Sequence, residues 1–304
     1  MKVQIRHLFT IAVLLLTSMQ SVKADPAPQR VVVAGGSITE IIYALGEQQR
    51  IAGVDSTSIF PLAATKKPQI GYVRKINVEG VLSLNPDLLL GEADTGPEKV
   101  VKQLQQTGLN SHIFSDNDNL AGVEEKIAKV AELLGVSEKG QTLIETIQAD
   151  RQALSHVLKQ VEHQPKVLFV LSLRGGQPIV AGKGTSADEV ITAAGGINIA
   201  ANHFNNWKPL STEAAIAMNP DVIISMGRHG EDSTPDLSQV PHFQFSNAVK
   251  NDQVIVLDGV YLLSMSPRTP QAVVELATLL HPEAQLPSGY GFRFASSSKA
   301  SESL

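Results

Sequence analysis

The 304-residue chain contains no cysteine. That excludes disulfides, thiolate metal sites, cysteine nucleophiles and a lipid-modified cysteine together. Aromatic residues make up only 5%, with a single tryptophan, so each aromatic outside an apolar run carries weight. Basic residues are not in excess: 25 Lys and Arg face 30 Asp and Glu, a net charge of −5. A nucleic-acid-binding chain would show the opposite balance. No G-x-S-x-G elbow and no H-E-x-x-H is present, the eight histidines are scattered, and there is no His-rich loop. No spacing of acidic residues singles out a catalytic pair. Beyond the first 24 residues, no stretch is apolar and long enough to span a bilayer, which takes about 20 residues.

What is present is a globular composition, 43% hydrophobic and 18% charged. Residues 1–24 have the pattern of a secretory signal: Lys2, Arg6 and His7, a short apolar run from Leu8 to Met19, then Val22-Lys23-Ala24 before Asp25. Cleavage near Ala24 leaves 22 basic residues against 30 acidic ones, net −8. The expected compartment is the periplasm. Residues 288–304 are polar and repetitive and are expected to form a flexible tail.

The body carries an internal repeat. Residues 79–90 read EGVLSLNPDLLL and residues 213–224 read EAAIAMNPDVII, matching at a constant offset of 134. Each block predicts a short helix from the Glu, a stop at Asn-Pro, and an apolar strand buried on both faces after Asp. A looser echo pairs Val31–Gly46 with Ile179–Gly196, each read as strand, Gly-rich turn and helix. Ser37 or Thr39 is expected to cap the first helix, and Thr185 or Ser186 the second. Between the repeats, residues 137–163 predict one long amphipathic helix of about 40 Å. The fold class is α/β: two Rossmann-like lobes with small parallel sheets, joined by a single long bracing helix. The boundaries are 25–136 for the N-terminal lobe, 137–163 for the linking helix and 164–287 for the C-terminal lobe. A cleft between lobes is a common ligand site.

Gly71-Tyr72-Val73-Arg74 precedes the first repeat block. In an extended chain Tyr72 and Arg74 point to one side. A guanidinium near a phenol favours phenolate, a hard anionic oxygen suited to ferric iron, and tyrosine is an axial haem ligand. The same residues also fit a loop tyrosine beside a surface ion pair. Trp207 falls within a residue of Tyr72 by the offset of 134, so the two would flank a flat ligand, unless Trp207 serves a lobe core or surface. Arg174, followed by Gly175 and Gly176, and Arg228, followed by His229, leave the ends of predicted strands, where α/β ligand sites form. Ala181–Ser186 lacks the spacing of a phosphate loop and is not read as one.

Taken together, the export signal, the duplicated lobes, the bracing helix and Gly71-Tyr72-x-Arg74 resemble the periplasmic haem-binding proteins of bacterial haem-uptake ABC transporters. Ser266-Pro267-Arg268 and the repeat blocks resemble the wider group that includes vitamin B12 and ferric-siderophore carriers. The resemblance covers about Arg30 to Pro282. It implies a class III periplasmic binding protein fold, no enzymatic activity, a monomer, and haem as the transported ligand. Tyr72 would be the axial ligand to ferric haem and Arg74 would hydrogen-bond its phenolate. Trp207 would line the pocket, with Arg174 or Arg228 on the propionates. Glu79 and Glu213 match the glutamates that dock on arginines of the inner-membrane permease. Some members place a histidine where this chain has Leu173 and Arg174, so the resemblance implies one five-coordinate haem. A cobalamin or ferric siderophore is the alternative cargo.

Overall fold

The structure, a computed structural model, describes residues 27–115, 119–227 and 236–294. The first lobe is built on β1 (Val31–Ala34), α1 (Gly36–Ala44), β2 (Ile51–Val54), α2 (Val78–Leu82), β3 (Leu88–Gly91), α3 (Glu98–Gln106) and β4 (Asn110–Ile113). Its sheet is fully parallel, in the order β2-β1-β3-β4. β1 is VVVA and β3 is LLLG, every residue buried. Such unbroken apolar strands are what a sheet covered on both faces requires.

Two helices bridge to the second lobe: α4 (Leu120–Leu133) and α5 (Ser137–Leu158). At 22 residues, α5 is about 33 Å long and stops five residues short of the 137–163 expectation. The second lobe contains β5 (Lys166–Arg174), β6 (Gln177–Ala181), α6 (Ser186–Ala193), β7 (Ile197–Asn198), β8 (Trp207–Pro209), α7 (Thr212–Met218), β9 (Val222–Gly227), α8 (Asn247–Lys250), β10 (Val254–Asp258), α9 (Gly259–Leu263) and α10 (Thr269–Leu280). Its sheet runs β10-β9-β5-β6-β8, with β7 also beside β5. Its β10-β9-β5 core and β7 are parallel, as expected, and the sheet is extended at one edge. β6 and β8 are antiparallel additions, because Gly175 and Gly176 turn β5 back on itself. The looser echo needs correction: the counterpart of β1 is β5 rather than β6. β1 pairs in parallel with β2 and β3, and β5 does so with β7 and β9.

The sharper repeat holds at atomic detail. Asn85 and Asn219 both take left-handed backbone, at φ 46° and 40°. Asparagine tolerates that region, and it ends each helix ahead of the proline. The next aspartate then ties down the central strand of its lobe. Asp87 accepts the backbone N–H of Arg30 at 3.0 Å, and Asp221 accepts that of Lys166 at 3.1 Å.

One apolar core runs through both lobes. It links Val31, Val33 and Leu90 of the first sheet to Ile127, Ile147 and Val157 of the bridging helices, and on to Phe169, Ile224, Val273 and Leu276. The C-terminal segment closes over it. Tyr290 donates to Asp150 on α5 at 2.9 Å, Arg293 pairs with the same buried carboxylate, and the Arg293 backbone N–H donates to Gln271 at 2.7 Å. Residues 288–294, the start of the expected tail, are therefore pinned, since they supply the partners of a fully buried charge; 295–304 lie outside the described residues.

A second link crosses the lobes at one point. Arg268, at the start of α10, forks onto Glu40 of α1 through Nε (2.7 Å) and NH2 (2.8 Å), with both side chains less than a tenth exposed. The guanidinium also lies 3.5 Å from the centre of the Phe60 ring. Burial pushes the Glu40 carboxyl above its usual value, and Arg268 pulls it back only in part. The pair is thus costly to desolvate and serves to fix geometry. Glu40→Ala should cost about 3–5 kcal/mol in urea denaturation by stranding Arg268. Glu40→Leu combined with Arg268→Met should recover most of that loss.

Candidate functional site

A cleft of about 710 Å³ opens between the lobes at the carboxyl ends of β1, β3, β9 and β10. This is where open α/β sheets place their ligands. Its two walls differ in chemistry. The first lobe contributes Gly35, Gly36, Ser37, Thr57, Tyr72, Arg74, Glu92 and Asp94. The second contributes Leu171, Met226, Val260 and Leu263, with Gly259 and Ser264. One wall offers hydroxyls and charges, and the other is almost entirely apolar.

The loop that carries Tyr72 is built by three anchors at a spacing of three. Ile70, Val73 and Ile76 are each buried to within 4%. Residues Val73–Lys75 form a single 3-10 turn, closed by Lys75 N–H to Tyr72 O at 2.7 Å. Tyr72 and Arg74 share the cleft because of this turn, not because the chain is extended through them. Gly71 takes φ 100°, a conformation open to glycine, while its carbonyl accepts from Ser56 N–H at 2.8 Å. Tyr72 is left 43% exposed on the cavity wall. The other three tyrosines, Tyr43, Tyr261 and Tyr290, are all pushed up by burial, which disfavours their phenolates, and none lines the cavity.

Arg74 directs its Nε to Asp94 at 2.7 Å. That hydrogen bond raises the guanidinium above its ordinary value against the opposing effect of burial, and the charges of Asp94 and Tyr72 add smaller pulls. The partner of Arg74 in this structure is therefore Asp94 rather than the Tyr72 oxygen. Asp94 carried no signal in the sequence beyond being one acid among 30.

Other expected residues lie elsewhere. Trp207 packs edge-on against Phe169, with ring centres 6.0 Å apart, and pairs with Ala181 in the sheet. It belongs to the second-lobe core and does not line the cavity, because β8 is a strand and not the counterpart of the Tyr72 loop. Arg174 is exposed at the tip of the β5–β6 hairpin, also outside the cavity lining. Arg228 and His229 lie outside the described residues. Glu79 and Glu213 are both exposed and occupy equivalent places, two residues after the capping side chains Asn77 and Ser211. Hydrogen bonds from its own backbone N–H and from the Ser211 hydroxyl hold the Glu213 carboxyl below the usual range. Thr185 caps α6 as expected, but neither Ser37 nor Thr39 caps α1. Ser37 instead bonds Glu92, and Thr39 bonds Ser58 at 2.8 Å.

Two α/β lobes joined by helices, with a ligand-sized cleft at the carboxyl ends of their strands, define a two-lobed binding protein. The profile of the periplasmic binding protein family matches residues 31–261, and the chain belongs to that family. It is a substrate-binding protein of the ABC-importer type, not an enzyme. Among solved structures it is similar to the periplasmic heme-binding protein RhuT from Roseiflexus sp. RS-1 in apo form. That pair shares 36% identity and a TM-score of 0.77, over 84% of this chain and 99% of the other. It is also similar to the periplasmic heme-binding protein HutB of Vibrio cholerae, at 32% identity and a TM-score of 0.74 over 84% and 99%. A vitamin B12-binding protein of Yersinia pseudotuberculosis is 29% identical over 221 residues, 72% of this chain and 77% of its own length.

The polar wall depends on one close approach. Gly35 lies at φ 147°, and a β-carbon there would stand 2.3 Å from Cγ of Glu92. Gly35→Ala should therefore displace Glu92 and lower stability by about 1–3 kcal/mol in urea denaturation. Gly46→Ala, at φ 72° with nothing within 4 Å of its β-carbon, should cost less, since it adds left-handed backbone strain without a steric clash.

Proposed function

We propose that this protein captures haem in the inter-lobe cleft, with Tyr72 as the axial ligand to ferric iron, and delivers it from the periplasm to an inner-membrane ABC importer. The observation that carries this reading is Tyr72 itself: a phenol on the cavity wall, beside a permanent cation, facing an apolar wall. A ferric tetrapyrrole needs those features, an anionic oxygen for the metal and a greasy surface for the macrocycle. Solved relatives whose names state heme binding, at 32% and 36% identity, support it. Titration with haemin should give a ferric tyrosinate spectrum, and Tyr72→Ala should weaken binding by at least about a hundredfold, since loss of even a hydrogen-bond partner of a metal ligand costs roughly 10–100-fold. An unchanged spectrum in that variant removes Tyr72 from the role.

The second reading is the same carrier with a cobalamin, favoured by the 29% identical relative named for vitamin B12. Competition between haemin and cyanocobalamin for the cleft separates the two. Docking on the permease is assigned to Glu79 and Glu213, the exposed, symmetry-related acids of the two repeat blocks. Reversing both charges should abolish uptake in cells and leave haemin affinity unchanged. Lost affinity would place these residues in the fold or the pocket instead.

A further inference from the structure

Behind the polar wall lies a cluster that the cargo reading does not use. Lys126 of α4 donates its Nζ to Glu92 Oε2 at 3.0 Å and to Ser37 Oγ at 2.8 Å, and Ser37 donates to Glu92 Oε1. Ser37 and Glu92 line the cavity. The Lys126 side chain is 10% exposed and that of Glu92 22%. Both carboxylate oxygens of Glu92 are thus held by one ammonium and one hydroxyl, the arrangement of a carboxylate-binding site filled by the protein's own side chain.

We propose that this cluster is a carboxylate-exchange subsite: a carboxylate of the ligand takes over Lys126 Nζ and Ser37 Oγ, and Glu92 turns out into solvent. The inference rests on the reading that the cleft takes a carboxylated tetrapyrrole. Arg74 lines the cavity and Lys126 stands behind it, in contact with the lining residues Ser37 and Glu92; the choice of Lys126 over Arg74 rests on how well each ion pair is shielded. Each of these two cations already carries an acid, Arg74 on the wall with Asp94 and Lys126 behind it with Glu92. The first pair is an exposed rim contact, with side chains 63% and 41% accessible. Such pairs contribute little, and water competes for them. The second is mostly shielded, and charge interactions strengthen as water is excluded. Exchange there replaces one ion pair by another, so the subsite discriminates by chemistry rather than adding bulk affinity. A ligand with a free carboxylate can replace Glu92. A ligand with an ester or amide in that place cannot, and meets the Glu92 carboxylate instead.

The test titrates haemin and haemin dimethyl ester into the full protein and its Lys126→Gln and Glu92→Gln variants, followed in the Soret band. Wild type should prefer the diacid by about tenfold or more, the scale of one charge-assisted contact. Lys126→Gln should erase that preference while leaving ester affinity within about twofold. Glu92→Gln should strengthen diacid binding, because the neutral amide competes poorly for Lys126. A preference that survives Lys126→Gln, or a weakened diacid in Glu92→Gln, overturns the exchange subsite and leaves the haem reading standing. No Soret change in wild type with either probe overturns the haem reading, and this inference with it.

Discussion

A single buried fork, Arg268 on Glu40, fixes how the two lobes face each other. The partners are 228 residues apart in sequence and belong to opposite halves of the molecule. Removing either charge strands the other in a place water scarcely reaches, so the pairing admits few alternatives. Around it the two lobes share one continuous apolar core through α4, α5 and α10. Together these contacts make the cleft a property of the fold rather than of the ligand. A pocket formed in advance loses less freedom when it binds.

The duplication explains why the cleft exists, and its imperfections explain why the walls differ. Both halves keep the Asn-Pro-Asp device that ends a helix, turns the chain and ties down the central strand. The halves diverge in the residues that leave the carboxyl ends of their strands. After β1 and β3 come Gly35-Gly36-Ser37 and Glu92-Ala93-Asp94, small or polar residues. β9 ends in Met226-Gly227, and β10 leads into Gly259, Val260 and Leu263. The hairpin extension β6–β8 is unique to the second lobe and gives Trp207 an interior role.

Much of this was legible in the residues. Unbroken runs such as Val31–Ala34 and Leu88–Leu90 mark buried parallel strands, and the offset of 134 marks the duplication. Tyr72 and Arg74 were legible as candidates, and both line the cleft. The turn that brings them together was encoded in Ile70, Val73 and Ile76, whose period of three is too short a signal to separate a 3-10 turn from an extended loop. Glu92 and Lys126 were not legible. They are 34 positions apart on different elements, and no local pattern says that two such charges meet. Trp207 was misplaced because a constant offset carries no information about inserted strands. Arg174 was misplaced because Gly175-Gly176 reads equally well as a hairpin turn or as a place for a ligand to approach closely.

The closing segment over α5 has a consequence for how the molecule can be cut or extended. Asp150 has no solvent of its own, and Tyr290 and Arg293 provide its partners from the far end of the chain. Trimming the polypeptide ahead of Tyr290 would leave a naked carboxylate inside the bracing helix, beside the core common to both lobes. Residues 290–293 thus work as a strap on the bracing helix, and the chain must be made past Arg293 before that strap can fasten.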